Sequence, residues 1–300
     1  MSTRHSRLPS EMTVERIVRT VAETSLDVRE GLAGRRGYED EENPSGEKQL
    51  AADLWADELF EERLLAIESV AAYASEERSG VVEADRTANG DGRYHVAIDP
   101  LDGSSNLRTN NTMGVILAVY DSPLPARGRD LVASAFVLFG PLTTMVVAVD
   151  GSVTEYVLER GSGGVEMRTV TEELTLPNEP TIYGFGGRVP NWTADFEAYV
   201  REVERELKLR YGGAMIADVN QVLVYGGVFA YPGLESHPKG KLRLQFEGNP
   251  VGHIIETAGG RSSNGERSLL DVPPERIHQR VPVHVGNTGL IDRLEAALDG

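Results

Sequence analysis

The chain has 300 residues, of which 40% are hydrophobic, and a formal net charge of −17. This length accommodates one large or two moderate domains. Because no run of about twenty apolar residues occurs, no membrane-spanning helix is expected. The acidic charge argues against nucleic acid as a partner, since no basic field is available to displace counterions. The N-terminal residues lack the apolar segment of a secretory signal, which predicts a cytoplasmic protein.

The chain contains no cysteine. Disulfides, thiolate metal sites and a cysteine nucleophile are therefore excluded. Any metal ion must be bound through oxygen or imidazole, and carboxylate-rich motifs favour Mg²⁺, with Mn²⁺ as the alternative.

Helical spacing of apolar residues predicts a first helix that begins at Ser10 or Thr13. A polar loop at residues 35–45 and a second helix from about Glu47 are expected next. Asp150-Gly151 is typical of a hairpin turn, here within residues 146–159. Further apolar segments predict strands at residues 69–74, 94–98, 115–120, 131–139 and 165–170.

The second half of the sequence mixes predicted helices and strands. The Pro- and Glu-containing stretch 172–180 is interpreted as the boundary between an N-terminal α/β domain, residues 10–172, and a C-terminal α/β domain, residues 180–300. Interleaved helices and strands favour a layered α/β or α+β sandwich. The elements expected after the boundary are strands near 181–185, 228–231 and 281–286, and helices near 194–207, 215–226, 247–259 and from 289.

The segment YHVAIDPLDGSSN, residues 94–106, is the most informative motif. A buried strand is predicted to end at Asp99, because Pro100 should prevent it from continuing. Asp99 and Asp102 are then followed by Gly103, Ser104 and Ser105, which expose backbone N–H groups and hydroxyls. Carboxylates beside such a turn indicate a divalent cation with a phosphate next to it, and hence metal-assisted phosphate ester hydrolysis. A polar surface turn is the alternative.

Other carboxylates could complete the metal site. Glu76 and Glu77 follow a short apolar segment, Glu47 and Asp53 lie near a predicted helix start, and Glu247 lies in a mixed apolar stretch. Each of them, taken alone, could equally be a solvated surface group. Phosphate could be bound by Arg210 or Lys241. Three aromatic side chains could contact a sugar or pack in the core, namely Tyr211, Tyr225 and Tyr231.

Together with DPLDGSSN, several segments resemble class I fructose-1,6-bisphosphatases over residues 14–290. They are SGEKQLAAD (45–53), SEE (75–77), RYGGAMIADVNQVLVYGGVFAYP (210–232) and GKLRLQFEGNP (240–250). DPLDG alone would also fit the wider lithium-sensitive sugar phosphatase superfamily, which includes inositol monophosphatases. The tryptophan-containing motif of the inositol branch is missing, and Glu247 occupies the matching metal position.

This resemblance implies a five-layer α-β-α-β-α sandwich with the active site between its halves. It implies hydrolysis of the 1-phosphate of D-fructose 1,6-bisphosphate in gluconeogenesis by a homotetramer. It also implies residue roles. The metal ligands are Glu76, Asp99, the Leu101 carbonyl, Asp102 and Glu247. Asp53 and Glu77 activate the attacking water, with Glu47 on a flanking loop. The substrate contacts are Asp102, Gly103, Ser104, Ser105, Tyr211, Met215, Tyr231, Lys241 and, from a neighbouring subunit, Arg210.

The chain departs from the family pattern where an Asn and a Tyr three residues later bind the 6-phosphate. Residues 183–188 read YGFGGR, so Arg188 could substitute as a phosphate cation. The longer N-terminal helix that helps to form an AMP site in animal enzymes is expected to be absent, although Arg93-Tyr94 resembles part of that site. The alternatives are a sedoheptulose-1,7-bisphosphatase, a broader inositol or sugar phosphatase, and a non-catalytic protein that binds cations or a metabolite.

Lysine occurs only at residues 48, 208, 239 and 241, and acidic residues outnumber basic ones by 47 to 30. This composition predicts a salt-adapted protein, because counterions screen the self-repulsion of the compact state. If multimolar KCl relieves about 3 kcal/mol of repulsion, Tm should rise by roughly 10 °C. Thermal melts in 0.1 M and multimolar KCl would measure this shift, and equal Tm values would contradict the prediction.

Overall fold

The computed structural model describes residues 9–42, 44, 48–85 and 93–299. The first helix, α1 (Pro9–Gly31), buries the apolar stripe predicted for it, including Ile17, Val21 and Ala22. It ends at Gly31, where a side chain would overlap the ring of Trp55. Trp55 belongs to the second helix, α2 (Ala51–Leu65), which packs beside α1.

A small hairpin precedes α2. Strands β1 (Tyr38–Glu42) and β2 (Lys48–Leu50) pair antiparallel. The prediction of a loop over residues 35–45 is therefore wrong for residues 38–42, because this charged segment lacks the apolar alternation that identifies a strand. The predicted helix from about Glu47 begins instead at Ala51, where the Asp53 Oδ2 accepts a hydrogen bond of 2.8 Å from the backbone N–H of Leu50. Glu47 itself lies outside the described residues.

The large sheet has eight strands in the order β10-β9-β8-β7-β6-β5-β3-β4. All its strand pairs are antiparallel except β3 with β5. The predicted hairpin turn is confirmed, with positive φ at Asp150 and Gly151. The bounds are β3 (Val70–Ser75), β4 (Val82–Glu83), β5 (Tyr94–Asp102), β6 (Met113–Tyr120), β7 (Leu131–Phe139), β8 (Thr143–Val149), β9 (Ser152–Gly161) and β10 (Gly164–Thr171).

The strand β5 continues through Pro100 to Asp102, which corrects the prediction that Pro100 ends it. Asp99 lies opposite Ile116 and Asp102 lies opposite Gly114, so three residues on β5 span two on β6. The resulting bulge accommodates a residue without a backbone N–H.

The small sheet has five strands in the order β12-β11-β13-β17-β15, and two short strands, β14 and β16, pair beside it. The residues of this half are β11 (Ile182–Phe185), α3 (Ala194–Val203), β12 (Lys208–Leu209), α4 (Met215–Tyr225), β13 (Gly227–Tyr231), β14 (Leu242–Arg243), α5 (Asn249–Thr257), β15 (Arg261–Ser263), β16 (Arg280–Val281), β17 (Val283–Gly286) and α6 (Thr288–Leu298). Helix α3 is shorter than the predicted 194–207.

The helices and sheets form five layers. Helices α1 and α2 cover one face of the large sheet, and α4 and α5 lie between the two sheets. Helices α3 and α6 cover the outer face of the small sheet, where Phe196 and Leu294 are buried. The predicted α-β-α-β-α sandwich is confirmed.

The stretch 172–180 contains neither a helix nor a strand. It joins the large sheet to the small one, and the division into domains 10–172 and 180–300 stays a prediction. Among the described residues, no helix is both long and apolar enough to cross a membrane.

Candidate active site between the two sheets

A cavity of about 750 Å³ opens where strands β3 and β5 end, next to the start of α4. It brings together most of the site residues predicted from the sequence. Arg210 and Tyr225 do not line it, Arg188 lines an adjoining cleft, and Glu47 lies outside the described residues. The predicted residues that line the cavity are Asp53, Glu76, Glu77, Asp99, Leu101, Asp102, Gly103, Ser104, Ser105, Tyr211, Met215, Tyr231, Lys241 and Glu247.

The parallel pairing of β3 with β5 places two carboxylates side by side. Ser75 lies opposite Ile98, and Glu76 and Asp99 follow directly. The backbone N–H of Glu76 donates to the Ile98 carbonyl at 3.1 Å, which holds the chain against the sheet as it leaves β3. Because β3 and β5 are adjacent and parallel, their carboxyl ends lie at the same end of the sheet, and both side chains follow there.

Glu247 reaches the same point from a π-helical turn, Leu244–Gly248, that precedes α5. Carboxylate oxygens of Glu76, Asp99 and Glu247 lie within 4.8 Å of one another, and all three residues are buried. Such short turns often place functional side chains. Three oxygens at this spacing are a donor set for one hard divalent cation.

Asp102 is held by the start of α4, whose Ile216 N–H donates to its Oδ2 at 3.0 Å. The next residue, Gly103, adopts φ 73°, and a Cβ there would approach the Ala214 Cβ to 2.3 Å. Only glycine fits this turn. A short helical turn at residues 104–108 follows, and the first N–H groups of such a turn have no partner within it.

Arg243 is a cavity residue that the sequence analysis missed. Its side chain is only 4% exposed and makes an ion pair of 2.8 Å with Glu76. Its backbone N–H donates to Glu247 Oε2 at 2.5 Å. The sequence did contain a sign of this role, since Arg243 lies between the apolar residues Leu242 and Leu244. A charged side chain in such a stretch is buried only when it has a charged or hydrogen-bonding partner, so this position predicts a buried ion pair.

Burial and mutual repulsion disfavour the charged forms of these carboxylates. Burial raises the pKa of Asp99 well above its usual range, with repulsion from Glu76 adding to it. Burial also raises the pKa of Asp102 to about 7 and that of Glu247 to about 8. Arg243 supplies one positive charge against this group, so a divalent cation fits the charge as well as the oxygen ligands. The acidic cluster thus supports a metal-dependent site.

Asp53 and Glu77 lie in the wall of the same cavity. Asp53 is buried in the first turn of α2. The backbone N–H of Glu77 donates to Ser75 Oγ at 3.1 Å, which fixes the turn after β3. The predicted water-activating pair therefore comes from two elements that meet at the cavity beside the carboxylate cluster.

At its other end the cavity is lined by Tyr211, Tyr231 and Lys241. Tyr231 and Lys241 also line an adjoining cleft of about 470 Å³ that contains Arg188 and Arg280. The two spaces therefore meet at Tyr231 and Lys241, so that a cavity rich in carboxylates adjoins a cleft that contains two arginines.

Asp218 is a second residue that the sequence analysis missed. It lines the cavity, accepts a 2.6 Å hydrogen bond from the Gly212 N–H, and has a buried Oδ2 for which the described residues offer no hydrogen-bond donor. Burial raises its pKa to about 6. It holds the loop that carries Tyr211.

Arg210 does not line the cavity. Its guanidinium lies 5.0 Å from the ring centre of Tyr225, and Nη1 donates to Gln221 at 3.2 Å. Leu209, the preceding residue, and Tyr225, the ring partner of Arg210, are exposed. Arg210 is itself half-buried and lies against α4, outside the cavity of its own chain.

The raised pKa values predict how the metal-free protein responds to pH. Between the ordinary pKa values, 3.8 for Asp and 4.5 for Glu, and the folded-state values near 7 and 8, the folded protein binds more protons than the unfolded one. Its free energy of unfolding should therefore fall as the pH rises through this window. MgCl₂ should reverse the loss, most strongly at high pH.

Thermal melts from pH 5 to pH 8.5, in EDTA and in MgCl₂, would measure this effect. The Glu247→Gln variant should show a weaker dependence in EDTA. A metal-free Tm that rises with pH through this window would contradict the prediction.

Comparison with known proteins gives the family. Family models match residues 10–168 as "Fructose-1-6-bisphosphatase, N-terminal domain" and residues 176–299 as "Fructose-1-6-bisphosphatase, C-terminal domain". The "Fructose-1,6-bisphosphatase class 1" of Natronomonas pharaonis is 60% identical over 95% of this chain and 98% of its own. That of Haloarcula marismortui is 54% identical over 98% of both chains. These relatives come from halophilic archaea, as the acidic composition indicates.

A solved structure supports the same assignment. The Leishmania major fructose-1,6-bisphosphatase in its holo form superimposes with a TM-score of 0.89 at 28% identity, over 99% of this chain and 96% of the other. The family predicted from the sequence motifs is therefore confirmed, and the chain belongs to the class I fructose-1,6-bisphosphatase family.

Proposed function

We propose that this chain hydrolyses the 1-phosphate of D-fructose 1,6-bisphosphate to give fructose 6-phosphate and phosphate. The observation that carries the proposal is the cavity that joins a buried carboxylate cluster to a cationic cleft. A sugar with a phosphate at each end matches this distribution of charge. Named class 1 relatives of high identity support the same activity.

The carboxylate end of the cavity is the reaction centre in this proposal. Glu76, Asp99, Asp102 and Glu247, with the Leu101 carbonyl, would hold Mg²⁺, or Mn²⁺ in its place. Bound Mg²⁺ would supply charge neutralisation of the phosphate, acidification of a water and stabilisation of the leaving alkoxide. The Gly103–Ser104 backbone N–H groups, with Ser105 beside them, would bind the phosphate oxygens.

Asp53 and Glu77 act on the water in this scheme. The water oxygen attacks phosphorus while its proton passes to one of these carboxylates. The bond between phosphorus and the sugar oxygen breaks, the alkoxide takes up a proton from solvent, and the carboxylate returns to solvent the proton that it accepted from the water. Arg243 neutralises part of the carboxylate charge and keeps Glu76 and Glu247 in place, since it contacts both.

The cationic end positions the substrate. Lys241 and Tyr231 line both the cavity and the adjoining cleft, so they mark the path of the second phosphate. Tyr211 and Met215 border the sugar. Arg188 lies in the cleft, which supports its role in place of the Asn and Tyr that the sequence lacks. Binding of the second phosphate in the cleft positions the reacting phosphate next to the carboxylate cluster.

Selective phosphate release tests this activity. With MgCl₂ in high KCl, we expect strong release from fructose 1,6-bisphosphate and weak release from inositol 1-phosphate and sedoheptulose 1,7-bisphosphate. Asp102→Asn should lower turnover by about a hundredfold or more, because a charged ligand and its geometry are lost. Asp121→Asn, which changes an exposed carboxylate beyond the far end of β6, should leave turnover unchanged.

Two results would contradict this activity. Preferential phosphate release from inositol 1-phosphate would be consistent with the proposed metal site, but it would contradict the proposed binding of a second phosphate. No release from any of these phosphates with Mg²⁺ present would favour the non-catalytic alternative.

The proposal includes a homo-oligomer, with a tetramer as the state that the family resemblance implies. The exposed side chains of Leu209 and Tyr225, which adjoin Arg210, support an interface there, because exposed apolar groups that lie together mark contact sites. Arg210 would then reach the second phosphate in a neighbouring subunit. Charged sugar phosphates do not cross bilayers unaided, so we place the reaction in the cytoplasm, as a step of gluconeogenesis.

Subunit mixing tests the role of Arg210. Arg210→Ala should raise KM by about ten- to a hundredfold with less effect on kcat, since a charged hydrogen bond to phosphate is lost. Lys241→Ala should have a similar effect. Co-expression of the two variants should restore about a quarter of the sites, because half of the interfaces are mixed and each mixed pair has one intact site.

Arg205→Ala, at an exposed arginine after α3, serves as the control and should leave KM unchanged. A monomeric protein, or co-expressed variants without any gain in activity, would contradict an Arg210 that acts across subunits.

A further inference from the structure

We propose that Asp57 and Arg78 form a positioning pair that sets the relative placement of Asp53 and the Glu76–Glu77 turn. The inference rests on the proposed function, since it assigns roles in the same site. Neither residue lines the cavity, and neither was singled out in the sequence. The pair links the helix that carries one half of the water-activating pair to the turn that carries the other.

The helix α2 presents three acidic residues at one-turn spacing, Asp53, Asp57 and Glu61. Residues four apart in a helix lie on the same face. Asp53 lines the cavity, whereas Asp57 and Glu61 bind Arg78. One helix face therefore holds both a site carboxylate and the anchor for the neighbouring turn.

The guanidinium of Arg78 forms ion pairs with two acidic side chains of α2. Its Nε donates to Asp57 Oδ2 at 2.6 Å, and its Nη2 forms an ion pair with Glu61. The Asp57 side chain is 4% exposed, so salt screens this contact less than a surface pair. Tyr73, on β3, donates to the other Asp57 oxygen at 2.8 Å, which fixes the carboxylate orientation. Asp57 thus ties α2 both to β3 and to the residue that follows Glu77.

The Arg78 backbone is also held. Its N–H donates to the Ser75 carbonyl at 3.2 Å, and its carbonyl accepts a 2.6 Å hydrogen bond from His278 Nε2. The His278 ring packs 5.2 Å from the ring of Phe246, which precedes Glu247. Three parts of the site thus meet at Arg78: the helix with Asp53, the turn with Glu76 and Glu77, and the segment with Glu247.

Hydrolysis requires the water-activating carboxylates and the metal ligands to keep a fixed separation. A displacement of about 1 Å lowers such rates by about a hundredfold. Without the Asp57–Arg78 contact, Glu61 would be the remaining ion-pair partner that ties Arg78, and the turn after β3, to α2. The variants should therefore lower kcat and weaken Mg²⁺ binding, and they should change KM for the sugar bisphosphate little, because the second phosphate binds elsewhere.

The test uses Asp57→Asn, Arg78→Met and the double variant in the full-length protein. Asp57→Asn keeps an oxygen for Tyr73 and so preserves the fold if Arg78→Met does not. We expect kcat to fall about ten- to a hundredfold in each single variant, and the double variant to be no slower than Arg78→Met, which alone already removes the contacts with both Asp57 and Glu61. Arg78→Lys should have a higher kcat than Arg78→Met, because lysine retains the positive charge but cannot contact Asp57 and Glu61 with two separate nitrogens.

Calorimetric titration with MgCl₂ gives a readout that is independent of turnover. The single variants should bind Mg²⁺ several-fold more weakly than the unmodified protein. Arg261→Met removes ion pairs of 2.5 Å with Glu295 and 2.7 Å with Asp292, and Arg261 does not line the cavity, so this variant is the matched control for an arginine that loses two ion pairs. It should lower Tm without changing kcat or Mg²⁺ binding.

The proposal is overturned if Asp57→Asn and Arg78→Met lower Tm as Arg261→Met does while kcat and Mg²⁺ binding stay within twofold of the unmodified protein. Failure of the proposed function looks different, because the unmodified protein itself would then release no phosphate from fructose 1,6-bisphosphate. The MgCl₂ titrations would still compare the variants in that case.

Discussion

Buried carboxylates of like charge repel one another, and this structure places Glu76, Asp99 and Glu247 within 4.8 Å. The fold must hold them together against that repulsion and against the loss of hydration. Arg243 offsets part of the charge from inside the cluster. The remaining negative charge is what a hard divalent cation would neutralise, so the property that destabilises the metal-free protein is also the property that would bind the metal.

The five layers serve this arrangement. Strand β5 carries Asp99 and, past its bulge, Asp102 to the edge of the large sheet, and the start of α4 holds Asp102 there. The segment before α5 brings Glu247 from the other half of the chain. The site therefore depends on packing between residues far apart in sequence. Lys241 belongs to the same segment as Glu247, so the proposed substrate contact and the proposed metal ligand would be positioned together.

The sequence predicted much of the fold because apolar periodicity is local. The stripe of α1, the apolar strand β6 and the Asp150-Gly151 turn follow from such patterns, and DPLDGSSN predicted the chemistry. The hairpin of β1 and β2 was missed because its pairing is not local and its residues are charged. Gln245 had no local signal either, yet it is buried and bonds both backbone groups of Ala126. Arg243 and Asp57 gain their roles only from partners that tertiary contacts bring near.

The most direct test of the account is a crystal structure of the protein soaked with Mn²⁺, with the metal located by anomalous diffraction. The account predicts an anomalous peak bound by carboxylate oxygens of Glu76, Asp99 and Glu247, at about 2.0–2.3 Å. The central claim is that these buried carboxylates together bind a divalent cation. It would be contradicted if no anomalous peak appeared between Glu76, Asp99 and Glu247 at saturating Mn²⁺, or if Mn²⁺ were bound only at surface carboxylates elsewhere.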